Sequence, residues 1–256
     1  MTIVEQVRAA GVVGAGGAGF PTHVKLNGRA EWVIANGAEC EPLLRVDQLL
    51  MQREADRVVR GLELAMEATG ASNGVIATKA HYEAAVRALR EATNGHANIR
   101  LHLLDSYYPS GDEKSIIFEV TGRVVPSGRL PLDVGCVVSN TSTAKAISDA
   151  IQKGMPLVER VVSVTGEFIR NPGNYIVKLG TNVQEIIDHC GGVTGDDVVL
   201  KMGGPMMGAP IMDTNVPIIK GSNGIIAIAA DHTEEKECIK CGRCVDVCPM
   251  ELAPLD

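Results

Sequence analysis

Residues 31–37 read EWVIANG, and similar apolar segments recur at residues 74–79 (GVIATK) and 98–105 (NIRLHLLD). Each has the length and apolar character of a β-strand. The segments between these strands show helical periodicity at residues 47–70 and 81–93, and the first of them ends at a glycine. Strands that alternate with helices predict crossover connections and a parallel sheet with helices on its faces. Ligands of such sheets bind outside the carboxyl ends of the strands.

The chain changes character after a further predicted helix at residues 142–154. Two strand-like runs flank a Pro-Gly turn within residues 159–180, a short helix with Thr181 as its cap is predicted at residues 181–192, and more strands follow. We therefore predict three parts: an α/β domain over residues 1–155, a small α+β domain over 156–230 and a tail over 231–256.

Composition narrows the function classes. The 256-residue chain has a net charge of −7, and aromatic residues make up 3% of it. Neither a basic stripe nor an obvious set of stacking aromatics is present, which argues against nucleic-acid binding. No apolar run reaches the roughly 18 residues of a membrane span. The first residues, MTIVEQVRAAG, read as a short helix and not as a secretion signal. We therefore predict a cytoplasmic protein with no transmembrane segment.

Four of the seven cysteines lie in the sequence ECIKCGRCVDVCPMELAPLD at residues 237–256. Cys238, Cys241, Cys244 and Cys248 follow the spacing C-x2-C-x2-C-x3-C-P, which is the bacterial ferredoxin pattern for a [4Fe–4S] cluster. A structural zinc site is the alternative, but zinc sites seldom use this run of closely spaced cysteines followed by proline. The spacing therefore predicts an iron–sulfur cluster.

The position of this run raises a further expectation. In two-cluster ferredoxins the fourth cysteine of such a run ligates the other cluster. The sequence ends eight residues after Cys248 without a second run. We therefore expect the sequence to be a C-terminally truncated piece of a longer protein, in which the cluster is completed elsewhere.

A glycine-rich stretch, GVVGAGGAGFPTHVKL, occupies residues 11–26. Glycine lets a planar ring or a phosphate approach the main chain closely, and Lys25 can supply a charge to a phosphate. The stretch is not the usual dinucleotide fingerprint, because the segment before it reads as helix and not as strand. A flexible loop is the alternative interpretation, and the residues around Lys25 favour a ligand site.

With its companions, this loop resembles the FMN- and NADH-binding subunit of respiratory complex I and, more closely, the C subunit of Rnf-type electron-transport complexes. The resemblance covers nearly the whole chain and rests on five further segments in the same order: NGAECEPLLRVDQ (36–48), YYPSGDEKSII (107–117), GRVVPSGRLP (122–131), VVSNTSTAKAI (137–147) and VSVTGEFIRNPGNYIVKLGTNVQEIIDHCGG (162–192). The last of these is similar to the soluble-ligand-binding β-grasp (SLBB) module of this family.

Two departures refine the resemblance. Ala15 stands where the complex I loop usually has an arginine, so contacts to FMN are expected more firmly than contacts to the nicotinamide nucleotide. The Rnf relatives have an extra domain before the glycine loop, whereas this sequence starts almost on the loop. That arrangement is more similar to the flavin and iron–sulfur cobalamin reductase of propanediol-utilisation microcompartments.

The resemblance implies an α/β fold with a Rossmann-like FMN-binding domain and parallel sheet, then a β-grasp domain and a ferredoxin-like tail. The residues implied to lie against the flavin are Gly14, Gly16, Gly17, Gly19 and Phe20. Lys25 is implied to pair with the phosphate. The implied hydrogen-bond partners of the flavin are Asn36, Asn140 and Thr143, for which loop capping is the alternative role. The acids implied near the NADH site are Glu39, Glu41, Asp112 and Glu113, for which an ordinary exposed acidic loop is the alternative.

The activity implied by the resemblance is electron transfer from NADH through FMN to a [4Fe–4S] cluster and on to a partner. The implied acceptor is cobalamin, a corrinoid, which would make the chain a cobalamin reductase. Its implied partners are then the components of a microcompartment, inside which it would work. The alternative acceptor is a redox partner protein of an Rnf-type complex. Two other hypotheses stay open: a corrinoid- or partner-docking module without flavin turnover, and a ferredoxin-like carrier fused to a structural domain.

Overall fold

The computed structural model describes residues 1–234 and 236–254. The first unit contains, in chain order, α1 (Ile3–Ala9), α2 (Thr22–Leu26), β1 (Trp32–Gly37), α3 (Val46–Arg53), α4 (Ala55–Thr69), β2 (Asn73–Lys79), α5 (Glu83–Ala92), β3 (Ile99–Leu104), α6 (Glu113–Thr121), β4 (Cys136–Asn140) and α7 (Thr141–Lys153). The second unit and the tail contain β5 (Glu159–Thr165), β6 (Gly173–Lys178), α8 (Val183–His189), β7 (Val198–Met202), β8 (Ala209–Pro210), β9 (Gly224–Ala229) and α9 (Arg243–Asp246).

The first sheet has the strand order β3-β2-β1-β4, and each neighbouring pair is parallel. The predicted parallel sheet is confirmed. Because β2 and β4 lie on opposite sides of β1, the chain reverses its direction of progress across the sheet at β1. Such a topological switch point leaves a crevice at the carboxyl ends of the two strands, here β1 and β4.

Helices cover both faces of this sheet. Leu62 of α4, Leu89 of α5 and Ile147 of α7 are buried in one apolar cluster, whereas Ile116 and Ile117 of α6 are buried in a second. The helices α4 and α7 pack so closely that a Cβ atom at position 61 would overlap the Ala144 carbonyl oxygen. Glycine at this position therefore permits the contact that fixes α7 under the site.

Two details differ from the sequence-based prediction. The single helix predicted over residues 47–70 is broken at Glu54, whose φ and ψ of −131° and 30° are not helical. The break lets both Met51 of α3 and Leu62 of α4 be fully buried. The cap of α8 is Asn182 and not Thr181, because the Thr181 carbonyl accepts a hydrogen bond from the Ile218 amide at 2.8 Å and so belongs to a short strand-like pairing.

The second unit is built on a mixed sheet with the order β6-β5-β9-β7-β8. The pair β5–β9 is parallel, and the other neighbours are antiparallel. Helix α8 packs on it through Val183, Ile186 and Ile187, which share a core with Val162 and Ile225. The predicted α+β character is confirmed, while the exact domain boundaries stay a prediction.

Direct contacts join the two units beside the glycine-rich loop. The Arg160 Nη2 atom donates to the Ala15 carbonyl at 3.1 Å, and the Arg45 amide donates to Ser163 Oγ at 3.1 Å. The Lys220 ammonium group donates to the Gly11 carbonyl. The second unit thus contacts the loop at Ala15 and the residue at its start, Gly11.

The described part of the chain contains no helix with both the length and the apolar character that a membrane span requires.

Candidate functional site

A cavity of about 460 Å³ opens at the carboxyl ends of β1 and β4, beside the glycine-rich loop. Its volume lies in the range of pockets that bind cofactors. Its lining consists of Ala15, Gly16, Asn36, Glu39, Cys40, Glu41, Leu44, Val46, Asp47, Tyr108, Pro109, Gly111, Asp112, Glu113, Asn140, Arg160, Met207 and Asn223. The structure therefore brings residues from widely separated sequence segments to the switch point of the sheet.

The glycine-rich loop is closed at its base, because the Gly14 amide donates to the Phe20 carbonyl at 2.8 Å. At its tip, Gly17 and Gly19 have φ of 103° and 64°, a region that favours glycine. A Cβ atom at either position would meet no atom of the described residues within 4 Å, so the tip presents bare backbone. Phe20 is 47% exposed. Of this loop, Ala15 and Gly16 line the cavity, whereas Gly17 and Phe20 line neighbouring grooves.

The start of α7 forms the second wall. Asn140 caps this helix, since its Oδ1 accepts from the Ser142 amide at 2.8 Å. Its Nδ2 donates to Asp47 at 2.6 Å, and the Ser142 hydroxyl donates to the other Asp47 oxygen at 2.6 Å. Thr143 is fully buried, and its Oγ1 accepts from the Ala15 amide at 2.9 Å. Thr143 thereby fixes the glycine-rich loop on α7.

The acids after β1 differ in their surroundings. Both oxygens of Glu39 accept backbone N–H groups, from Asp47 at 2.9 Å and Gln48 at 3.0 Å. Burial, reinforced by the charge of Asp47, nevertheless raises the pKa of Glu39 to about 7. Glu41 Oε2 accepts from the Met206 amide at 3.0 Å, whereas Glu41 Oε1 is buried without a hydrogen-bond partner among the described residues. A buried carboxylate oxygen in this position is an acceptor available to a ligand.

Asn36 and the second acidic loop form the outer wall. The Asn36 amide donates to the Gly111 carbonyl at 2.8 Å, and its oxygen accepts from the Ala38 amide. Asp112 caps α6 by accepting from the Lys114 and Ser115 amides at 3.0 Å. Asn36 and Asp112 therefore serve as loop and helix caps while they line the cavity.

Lys25 lies at the edge of the site, and its ammonium group is hydrogen-bonded within the protein. Its ammonium group donates to Glu113 at 2.8 Å and to the Val138 carbonyl at 2.9 Å. It lines a neighbouring apolar groove with Phe20 and Val24, and not the main cavity. The predicted phosphate contact of Lys25 therefore stays a prediction.

Several lining residues were missed in the sequence, notably Cys40, Asp47, Tyr108, Arg160 and Asn223. Asp47 and Cys40 lie in the segment 36–48, which carries part of the family resemblance, so its polar residues were a signal that could have identified them. Arg160 and Asn223 belong to the second unit, and no local motif marks them. Their role depends on how the two units pack.

The cysteine run lies apart from these walls. Cys238 and Cys241 are exposed, and Cys244 and Cys248 are half-buried. Across residues 1–234 and 236–254, no three His, Cys, Asp or Glu side chains are gathered as ligands of one metal ion. Four thiols suit an iron–sulfur cluster chemically, but the structure does not assemble them. Met250 Sδ lies 4.0 Å from Ser115 Oγ, which places the tail beside the start of α6.

The cavity suits a flavin nucleotide on three observations of this structure. Bare main chain at Gly16 faces it, a buried Glu41 oxygen lacks a partner among the described residues, and one buried guanidinium group, that of Arg160, reaches it from the second unit. Together with the switch-point position, these features define a nucleotide-binding α/β protein.

Comparison with known families agrees and is more specific. Residues 7–149 match the Nuo51 FMN-binding domain, residues 161–210 match the SLBB domain, and residues 233–251 match the 4Fe-4S binding domain. Because the first match covers more than half of the chain, the chain belongs to the Nuo51 FMN-binding domain family. The predicted family, its domain types and its FMN and [4Fe–4S] cofactors are confirmed.

Two kinds of curated relative are similar to the chain. The chain is 41% identical over 261 residues to the C subunit of the Na(+)-translocating ferredoxin:NAD(+) oxidoreductase complex of Acetobacterium woodii, covering 99% of this chain and 59% of the relative. It is 42% identical over 266 residues to cobalamin reductase PduS of Citrobacter freundii, covering 98% and 58%. The family is thus one of oxidoreductases. The chain spans somewhat more than half the length of these relatives, and the two identities do not favour either group.

A solved structure shows the same fold. The NAD+-reducing [NiFe]-hydrogenase in its H2-reduced state matches with a TM-score of 0.73 at 22% identity, over 88% of this chain and 46% of that chain. The predicted fold class, a Rossmann-like parallel-sheet domain followed by a small α+β domain, is confirmed.

Proposed function

We propose that this chain carries electrons from NADH, through FMN bound in the cavity at the β1–β4 switch point, to a [4Fe–4S] cluster held by the cysteine run. The observation that carries the proposal is the bare-backbone cavity beside the tail: Asp112 and Glu113 line it, and Met250 contacts Ser115 of the same helical turn. When FMN is bound, it supplies the exchange between two-electron and one-electron transfer.

The residues of the chain have distinct parts in this proposal. Gly16 offers main chain to a flat ring, and Thr143 holds the loop at Ala15 in position. Glu41 offers Oε1, which has no hydrogen-bond partner in the described part of the chain, to a ribose hydroxyl of the incoming NADH. Glu39, with its raised pKa, can be neutral near pH 7, which limits the negative charge that a phosphate-bearing ligand meets.

The thiols of Cys238, Cys241, Cys244 and Cys248 would hold the cluster. Thiolates, and not thiols, are the ligands, so cluster binding requires their deprotonation and their gathering around the iron. Because these side chains are exposed or half-buried, they can come together without unpacking a core.

We further propose cobalamin as the acceptor, which agrees with the relative named cobalamin reductase PduS. A redox partner protein is the second candidate, which the similarity to the C subunit of a ferredoxin:NAD(+) oxidoreductase complex favours. Placement in the cytoplasm or inside a microcompartment stays a prediction.

The test is a visible spectrum of the chain purified without oxygen, with iron and FMN contents measured on the same sample. We expect an absorption band of the flavin at about 450 nm that NADH bleaches, together with bound iron. Iron without flavin would support the carrier hypothesis instead. The presence of neither would contradict the proposed function and favour a docking module.

A further inference from the structure

Arg160, the second residue of β5, has an unusual environment for a charged side chain. It is 6% exposed, yet it lines the cavity together with Ala15, Gly16 and Asn140. Its Nη2 atom donates to the Ala15 carbonyl at 3.1 Å, and its Nε atom donates to the Ser222 carbonyl at 3.4 Å. A guanidinium group has five N–H donors, so several remain for another partner.

The charge of Arg160 is not neutralised by a contact. Its two hydrogen-bond partners are neutral carbonyls, and no described carboxylate forms an ion pair with it. Asp47 acts on it only at longer range, and both Asp47 oxygens already accept hydrogen bonds from Asn140 and Ser142. A buried charge without a paired counter-ion is costly for a fold to keep, which points to a counter-ion supplied by a ligand.

The rest of the cavity lining shows where an anion can lie. Five carboxylates line it, at Glu39, Glu41, Asp47, Asp112 and Glu113, and Arg160 is the single cationic group among the described lining residues. A phosphate placed toward Asp112 and Glu113 would meet like charge, whereas at Arg160 it would meet a desolvated guanidinium group. Guanidinium groups match phosphate oxygens in a bidentate geometry.

We propose that Arg160 binds the phosphoryl group of the nucleotide held in this cavity, so that a residue of the second unit completes the binding site of the first. This inference rests on the proposed function for the identity of the nucleotide. Two sources share the chemistry: the phosphate monoester of FMN and the pyrophosphate of the nicotinamide dinucleotide. In either case the part of the cavity lined by Asp112 and Glu113 receives a part of the ligand that carries no phosphate.

The test compares Arg160→Met with wild type and with Arg170→Met in the full chain. Arg170 is a matched control, since it also lies in the second unit and donates to a backbone carbonyl, that of Gly191 at 3.0 Å, but is exposed and outside the cavity. Dissociation constants are measured for FMN and riboflavin by quenching of flavin fluorescence, and for ADP-ribose by calorimetry. Riboflavin reports ring binding without the phosphate.

If the FMN phosphate is the partner, Arg160→Met weakens FMN binding by roughly 10- to 100-fold, as loss of a charged hydrogen bond does, and leaves riboflavin binding unchanged. If the dinucleotide is the partner, FMN binding stays and ADP-ribose binding weakens by a similar factor. Arg170→Met changes none of these values. A parallel loss of FMN and riboflavin would show a merely structural role and overturn the proposal, as would unchanged binding of both FMN and ADP-ribose.

Two further measurements keep the test decisive. If thermal denaturation shows that Arg160→Met is not folded, Arg160→Lys takes its place. This variant keeps the charge without the planar guanidinium group and should bind FMN or ADP-ribose with intermediate affinity. Wild-type affinity in Arg160→Lys would count against a bidentate contact. The wild-type chain must bind FMN more tightly than riboflavin, or bind ADP-ribose. If it binds FMN but NADH does not reduce it, the proposed function fails while this inference stands.

Discussion

The nucleotide cavity and the cysteine tail differ in what holds them. In the cavity, Thr143, Asn140 and Glu39 each make hydrogen bonds within the protein that fix their side chains. In the tail, Cys238 and Cys241 are exposed, and the run is not assembled as a ligand set within the described residues. The cavity walls are thus fixed by hydrogen bonds within the protein, whereas we expect the cysteine run to be gathered by the cluster that it binds.

The largest effect is expected from a substitution in the cysteine run that leaves the cavity unchanged. Cys241→Ser removes a thiolate from the run and should abolish nearly all bound iron, because a hydroxyl is a poor cluster ligand. FMN content should stay near the wild-type value, since the cavity walls do not include the tail. Iron analysis and flavin release on the same preparation measure both.

Cys40→Ser provides the matched control for that experiment. Cys40 is a half-buried thiol outside the run, and it accepts a hydrogen bond from the Gly111 amide at 3.0 Å. Iron should be retained in this variant. Joint loss of iron and FMN in Cys241→Ser would show that the two regions are not independent and would break the comparison.

A smaller effect is expected at the edge of the cavity. Lys25→Met removes the ion pair with Glu113, whose two side chains are 35% and 40% exposed. Such a pair contributes at most about 1 kcal/mol, so we expect thermal stability close to wild type. If Lys25 pairs with the FMN phosphate as predicted, FMN binding should weaken about three- to tenfold, since each 1.4 kcal/mol is equivalent to tenfold. Unchanged FMN content would remove Lys25 from the site.

A further effect is a pH dependence of the free energy of unfolding at Glu39. The pKa of Glu39 is raised by burial to about 7 from an ordinary value of 4.5, so the folded state binds a proton that the unfolded state has released. Its contribution to stability is therefore fully present below about pH 4.5 and is lost as pH rises through about 7, by at most about 1.4 kcal/mol per pH unit.

Urea denaturation of wild type and Glu39→Gln between pH 5 and pH 8 measures this slope. The variant keeps a neutral side chain, although its amide nitrogen cannot accept a backbone N–H group, so it should be less stable overall but flatter with pH. Identical slopes in the two proteins would contradict the assignment to Glu39.

The sequence predicted the two regions unequally. The first sheet followed from strand and helix periodicity, because its strands are continuous apolar runs that α4, α5 and α7 cover. The cysteine run was evident from spacing alone, although its thiols are held by few contacts. Arg160 could not be predicted, because its position in the cavity arises from the packing of β5 against the loop at Ala15. The cap that Asp112 forms on α6 is a local pattern, an aspartate directly before a helix. The hydrogen bond from Asn36 to the Gly111 carbonyl joins residues 75 positions apart, and no local pattern encodes it.

A graded series at Gly16, with Ala, Val and Leu in its place, tests the proposed flavin site most directly. Gly16 does not have a positive φ. Within 4 Å, and among residues 1–234 and 236–254, a Cβ atom there would meet only the Asn140 Cβ atom, at 3.9 Å, so the variants should fold and extend a side chain toward the cavity. We expect the FMN dissociation constant to rise steadily with side-chain size while the melting temperature stays close to that of wild type. Wild-type FMN affinity in a folded Gly16→Leu variant would show that the flavin does not lie against this loop.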